Sequence, residues 1–229
     1  MKRLVQPELL DTLPPGDPRA ARSRRDLKRV NAWMRNDVIM TEAMRNHFTA
    51  GAPKGITELG AGDGNFLLGV AQKISPRWPS VKATLLDLQK NISAETLAAF
   101  TSLGWRAETV VADVFDWAPT SANGEVVVAN LFLHHFEDAR LAELLEKISR
   151  HAKLFIAVEP HRFDNASACA QWLRLIGCSA ITRHDAAASI RAGFIDQEIS
   201  ALWPDPKNWR LAEYRAGFFS HLFVARRLE

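Results

Sequence analysis

Five short apolar runs separated by helical patterns limit the possible folds of this chain more than any other feature. The runs are Ile56 to Leu59, Ala83 to Leu88, Thr109 to Ala112, Val126 to Ala129 and Leu154 to Val158. Each is short and nearly continuous in apolar character, as strands buried on both faces are. Between them, Phe66, Val70 and Ile74 share a helical face, a second helix runs from Ser93 to Gly104, and Leu141, Leu144, Leu145 and Ile148 line a third. Strands alternating with helices imply right-handed βαβ crossovers and a parallel sheet covered on both sides.

The rhythm breaks after Pro160. Two helices are expected there, roughly Ala166 to Gly177 and Asp185 to Ala192, the second with Asp185 as its N-cap. Arg210 to Tyr214 and Phe218 to Ala225, joined by Arg215-Ala216-Gly217, then read as an antiparallel hairpin. The fold class is therefore α/β: a doubly wound, mostly parallel seven-stranded sheet with an antiparallel C-terminal hairpin, N-terminal helices and a helical insertion before the hairpin. Residues 1–22, rich in proline, are expected to be a flexible lead-in. Residues 23–229 form one domain, divided into cap helices (23–50), a ligand-binding core (55–160), the insertion (161–208) and the hairpin (209–227). A chain of 229 residues can bury a core of that size.

Where the first strand gives way to a helix, Gly60, Gly62 and Gly64 stand at alternate positions. A side chain at Gly60 or Gly62 would keep the backbone away from a bound nucleoside and amino acid, and Gly64 lets the helix pack closely on the strand. A dinucleotide fingerprint wants its third glycine three positions after the second, but Asn65 occupies that place, which disfavours nicotinamide oxidoreductase chemistry. Glu58, two positions before the first glycine, suits a cationic ligand: its carboxylate can fix the ammonium end of a methionine moiety beside a sulfonium. That charge logic favours S-adenosylmethionine.

The segment Glu58-Leu59-Gly60-Ala61-Gly62-Asp63-Gly64 resembles the first motif of the class I S-adenosylmethionine-dependent methyltransferases. Two more motifs follow in register. Leu85-Leu86-Asp87-Leu88 ends the second strand where the family places a carboxylate on the ribose hydroxyls, and Val111-Ala112-Asp113-Val114 ends the third where an acidic side chain and the next amide meet adenine. Asn130-Leu131-Phe132-Leu133-His134-His135-Phe136, after the fourth strand, is similar to the fourth motif of bacterial small-molecule methyltransferases with a ubiquinone-biosynthesis-like pattern. The resemblance implies cofactor contacts at Glu58, Gly60, Ala61, Gly62, Asp87, Leu88, Asp113, Val114 and Asn130. It implies S-adenosylmethionine as cofactor, and a small-molecule acceptor methylated on a hydroxyl or phenol.

Methyl transfer chiefly demands alignment, and a base is optional. His134, His135 and His161 are the candidate bases at the strand ends, with His184, beside Asp185, a weaker one. These histidines lack zinc-site spacing, so no metal is expected. Trp33, Trp172, Trp203 and Trp209 could wall an aromatic acceptor pocket, although interior packing suits most of them better. No Asn-Pro-Pro-Tyr or Asp-Pro-Pro-Tyr follows the fourth strand, and neither cysteine lies near it, which argues against base N-methylation and covalent cytosine methylation.

Arg19, Arg22, Arg24, Arg25, Lys28 and Arg29 gather much of the basic charge of a chain whose net charge is +3. They could serve an RNA methyltransferase, but no aromatic residues interleave them, and a solvated helix face is the favoured reading. A catalytically silent S-adenosylmethionine-binding protein is a further alternative. Two cysteines, Cys169 and Cys178, make a poor disulfide framework, and no apolar run reaches the roughly 18 residues of a membrane span. A cytoplasmic protein is expected.

Overall fold

The computed structural model describes residues 2–14, 16–48, 51–117 and 126–228. Residues 1, 49, 50 and 229, which end the expected lead-in, cap helices and domain, lie outside the described residues, as do 15 and 118–125. The sheet consists of β1 (Gly55–Leu59), β2 (Lys82–Asp87), β3 (Arg106–Val111), β4 (Val126–Asn130), β5 (Leu154–Pro160), β6 (Trp209–Ala216) and β7 (Ser220–Arg227). Their order is β3-β2-β1-β4-β5-β7-β6, and β7 runs opposite to the other six strands, antiparallel to both β5 and β6.

Alternate residues of the central strands feed two cores. Val126 and Val128 of β4 join Ile56 and Ile156 under α3 (Asn36–His47), α4 (Asn65–Ile74) and α5 (Ala94–Ser102), packing on Met40, Leu67, Val70 and Phe100. Val127 and Ala129 face the other way with Phe155 and Phe223, against Leu141, Leu144 and Ile148 of α6 (Asp138–His151). Burying each such aliphatic side chain contributes about 1.5–3 kcal/mol. That two-faced burial is why these strands read as unbroken apolar runs. The strand order reverses between β1 and β4, and in an open parallel sheet such a switch point leaves a crevice at the strands' C-terminal ends.

The cap helices expected over 23–50 resolve into the larger part of α2 (Pro18–Met34) and α3, divided at Arg35, which takes a left-handed conformation with φ 55°. Asp17 caps α2 by accepting from the Arg19 N–H, with proline at the first helical position. α1 is a single turn at Leu9–Thr12, and the insertion carries α7 (Ala166–Trp172), α8 (Ala180–Ala192) and α9 (Glu198–Leu202).

Three local expectations need correction. Residues 2–13, expected to be loose, are held on the body: the Arg3 guanidinium pairs with Asp138 at 2.7 Å and donates to the Phe136 carbonyl, and the Leu4 N–H donates to the Arg191 carbonyl. Asp185 is not the N-cap of its own helix, a position taken by Ser179; it sits buried inside α8 and accepts from the Leu9 and Leu10 N–H groups, so it caps α1 instead. The hairpin turns at Gly217-Phe218-Phe219, with Ala216 paired to Ser220 and Gly217 at φ 76°. Sequence proximity cannot reveal partners more than 130 residues apart, and those partners order the lead-in.

Candidate functional site

The glycine bend leads from β1 into α4 at the switch point. Gly60, Gly62 and Gly64 all have left-handed backbones, with φ between 56° and 76°. Their surroundings differ. A Cβ on Gly60 would lie 2.3 Å from Cδ2 of Phe132, so this glycine admits an aromatic ring from the segment after β4, where the sequence suggested close approach of ligand. A Cβ on Gly64 would press on Leu85 and Thr96 at 3.2 Å, consistent with its packing role, while one on Gly62 would meet nothing within 4 Å. The open side of the loop is thus at Gly62.

Carboxylates surround that open side. Asp87 accepts from the Gly62 N–H at 2.8 Å and from the Gln89 N–H at 2.8 Å, tying the tip of β2 to the loop. Glu58 is 2% exposed, and its Oε2 has no hydrogen-bond partner. Burial, and then the charges of Asp63 and Asp87, push the Glu58 carboxyl well above its ordinary range. A cation placed here would answer an unpartnered buried oxygen and relieve repulsion among three acidic groups, so the residues present fit the cationic end of S-adenosylmethionine. Asp113 accepts from the Phe115 N–H at 2.9 Å in an Asx turn, and Val114 behind it is buried. Leu88 is exposed and Ala61 buried, with the Ala61 N–H bonded to the Leu86 carbonyl.

Beyond β4 the chain turns sharply. Leu131 is left-handed at φ 51°, a conformation that costs a non-glycine residue about 1–3 kcal/mol unless its surroundings enforce it. Glu159, fully buried at the end of β5, does so: its carboxylate accepts from the N–H groups of Phe132, Leu133 and His134 and from His134 Nδ1 at 2.8 Å. Asn130 accepts from Asn36 of α3 at 2.9 Å, and Asn36 in turn accepts from Ser220, which joins the cap helices to the tips of β4 and β7.

The three proposed bases separate into two places. His134 and His135 lie side by side in a 3-10 turn (Leu133–His135), with ring centroids 4.2 Å apart. Their Nε2 atoms stand 3.5 and 3.7 Å from the two carboxylate oxygens of Glu8, brought there by the anchored N-terminal strand of chain. Burial works against a charged His134, but the Glu159 hydrogen bond and the nearby charges of Glu159 and Glu8 outweigh it and raise its pKa to about 9. Burial would also raise the Glu8 carboxyl, yet the two rings hold it well below the usual carboxylate range. His161 lies elsewhere: it stacks on His221 at 5.9 Å and lines a groove with Asp196, Gln197, Glu213, Tyr214 and Arg215. Burial, then Arg215, His221 and Arg162, lower its pKa. His184 is exposed on α8, with Nδ1 3.1 Å from Asp185, a pairing of sequence neighbours that helical spacing argues against.

Of the tryptophans, Trp203 and Trp209 belong to the core beneath α6, and Trp172 is 68% exposed. Trp33 alone of the four stacks near the end of α2 on Phe219 of the hairpin turn, at 4.5 Å. Among the basic residues of α2, Lys28 pairs with Asp63 of the glycine loop at 2.9 Å, Arg29 with Asp26, and Arg19 with Asp17. Glu8, Asn36 and Ser220 escaped the sequence reading, since no local motif marks them. Glu159 carried one usable signal, an acidic residue at the end of an otherwise apolar strand.

Residues 56–154 match a family model described as a methyltransferase domain. No curated protein matches the chain. Among solved structures, it is similar to a plantazolicin methyltransferase in complex with SAH, with 14% identity, a TM-score of 0.64 and coverage of 93% of this chain and 92% of that one. An O-methyltransferase family protein from Burkholderia thailandensis shows 18% identity and a TM-score of 0.58 over 93% of this chain and 60% of that one. The magnesium protoporphyrin IX methyltransferase of Synechocystis PCC 6803, with bound SAH, shows 10% identity and a TM-score of 0.56 over 96% and 91%. These likenesses establish the shared fold, and the family match covers the glycine bend and the tips of β1 to β4. Residues 56–154 thus match a methyltransferase domain, set in a sheet whose fold is that of the SAH-bound methyltransferases above.

Proposed function

We propose that this chain methylates a hydroxyl or phenol oxygen of a small-molecule acceptor. The observation that carries the reading is the pairing of two unlike environments at the switch point: a carboxylate-rich cradle around Gly62, and a histidine-lined turn after β4 that Glu159 holds rigid. Glu58 would hold the ammonium of the cofactor, Asp87 its ribose hydroxyls, and Asp113 with the Val114 amide its adenine. Gly60, Ala61 and Gly62 contribute backbone, and Leu88 and Asn130 flank the cradle. The bound cofactor supplies a methyl group on a sulfonium, already a good leaving group. The protein's main task is then alignment, which is worth ~7–11 kcal/mol of barrier when reacting atoms are well oriented.

Two histidines are poorly suited to accept the acceptor's proton. His134 holds its own proton between two carboxylates, and His161 belongs to the separate groove. His135, with 31% of its side chain exposed and Nδ1 3.0 Å from the Phe132 carbonyl, keeps Nε2 as an acceptor when that Nδ1 carries the ring's proton. It is the proton acceptor we assign. An RNA substrate is disfavoured because ion pairs within the chain engage Arg19, Lys28 and Arg29 of that basic stretch. Incubation with labelled cofactor and a panel of phenols, alcohols, amines and RNA, read by mass spectrometry, tests the reading. Label on oxygen of a small acceptor is expected; label confined to nitrogen, carbon or RNA overturns it.

A further inference from the structure

The geometry points to a divalent transition-metal site formed by Glu8, His134 and His135. Among the described residues, their ligand atoms all lie within 4.8 Å of one another. The sequence offered two adjacent histidines without zinc-like spacing; the third ligand arrives from residue 8, carried by the anchored N-terminal segment.

Three features favour an ion over a simple salt bridge. First, each ligand has an outer partner that orients it. Glu159 holds His134 Nδ1 at 2.8 Å, the Phe132 carbonyl holds His135 Nδ1 at 3.0 Å, and Ser189 donates to Glu8. Carboxylate and carbonyl partners on Nδ1 are what metal-bound histidines have, because they leave the Nε2 lone pair for the metal. Second, His134 Nε2 is buried without a hydrogen-bond partner and aimed into the cluster. Third, the separations of 3.5 and 3.7 Å from Nε2 to the Glu8 oxygens exceed a charge-assisted hydrogen bond of about 2.7–2.9 Å. They lie close to the spacing of about 3.3 Å between tetrahedral donors whose bonds are about 2.0–2.1 Å.

Two imidazoles and one carboxylate suit an ion of the zinc or cobalt class, with at least one position left for water or another oxygen ligand. Such an ion would clip residues 2–13 onto the turn after β4. His135 Nε2 cannot both bind the ion and take a proton, so the two roles belong to different states of the protein.

The test is titration of the chelator-stripped, full-length chain with Co2+, followed by visible absorption and then by Zn2+ competition. We expect saturation at one equivalent with the spectrum of a nitrogen/oxygen site, and a thermal midpoint raised by Zn2+. Glu8→Ala and His135→Ala should each weaken binding at least about tenfold, whereas His184→Ala should leave it unchanged. Glu8→Gln replaces Glu8→Ala if the latter alters the melting profile. Absence of saturable binding, binding that survives both ligand substitutions, or a thiolate charge-transfer band from Cys169 or Cys178 would overturn the assignment. The titration requires neither cofactor nor acceptor, so its failure leaves the reading of methyl transfer, with His135 as proton acceptor, standing.

Discussion

Replacing Glu58 by glutamine separates charge from shape at the cradle. In the ligand-free protein, burial and the nearby Asp63 and Asp87 raise the Glu58 pKa above its unfolded value. The folded state therefore binds this proton more tightly than the unfolded state. The resulting stability is complete below the unfolded pKa, about 4.3, and is lost as pH rises through the folded value. Glu58→Gln removes that loss, so the ligand-free variant should be as stable as the parent at neutral pH, or more so. Cofactor binding should respond in the opposite sense. A carboxylate bonded to an ammonium contributes about 1.5–3 kcal/mol, so affinity should fall by about 10- to 150-fold. The ligand's positive charge also pulls the Glu58 proton off. Affinity of the parent for S-adenosylhomocysteine should therefore rise as pH climbs above the unfolded carboxylate value, for as long as the ligand's α-amine stays protonated. Calorimetry in two buffers of different ionisation enthalpy measures the released proton directly. If Glu58→Gln binds within about threefold of the parent and releases as many protons, Glu58 does not meet the cation.

Two further outcomes follow from the loop geometry. Gly60→Ala combines a left-handed backbone at φ 65° with a Cβ 2.3 Å from Phe132, and should lower unfolding free energy in urea by about 2–4 kcal/mol. Adding Phe132→Ala should recover the steric part, so a double-mutant cycle without coupling would refute the contact. Asp87→Ala should weaken S-adenosylhomocysteine binding about ten- to hundredfold, measured by calorimetry; unchanged affinity would remove Asp87 from the site.

Local chemistry made the core legible. Strands buried on both faces must be apolar throughout, a glycine bend between strand and helix must be free of Cβ atoms, and strand-end acids stand at fixed offsets from both. Those constraints act within about ten residues, and so β1 to β5, the seven-stranded arrangement and the nucleoside-type crevice could be read from the chain, apart from boundaries such as the turn at Gly217-Phe218-Phe219. Other features were hidden because their partners are remote in sequence. Asp185 looked like a cap for the helix it lies in, and caps Leu9 and Leu10 instead. Gly60 looked reserved for ligand, and receives Phe132 from the far side of the switch point.

The linear order of residues was sufficient for whatever depends on local pattern: the sheet, the switch point and the acidic residues at the strand ends. Folding alone brought Glu8 to His134 and His135, seated His134 on Glu159 and sent His161 to a different groove. Side-chain partnerships across 126 residues leave no periodic trace, because they arise from the packing of elements whose spacing along the chain is otherwise unconstrained.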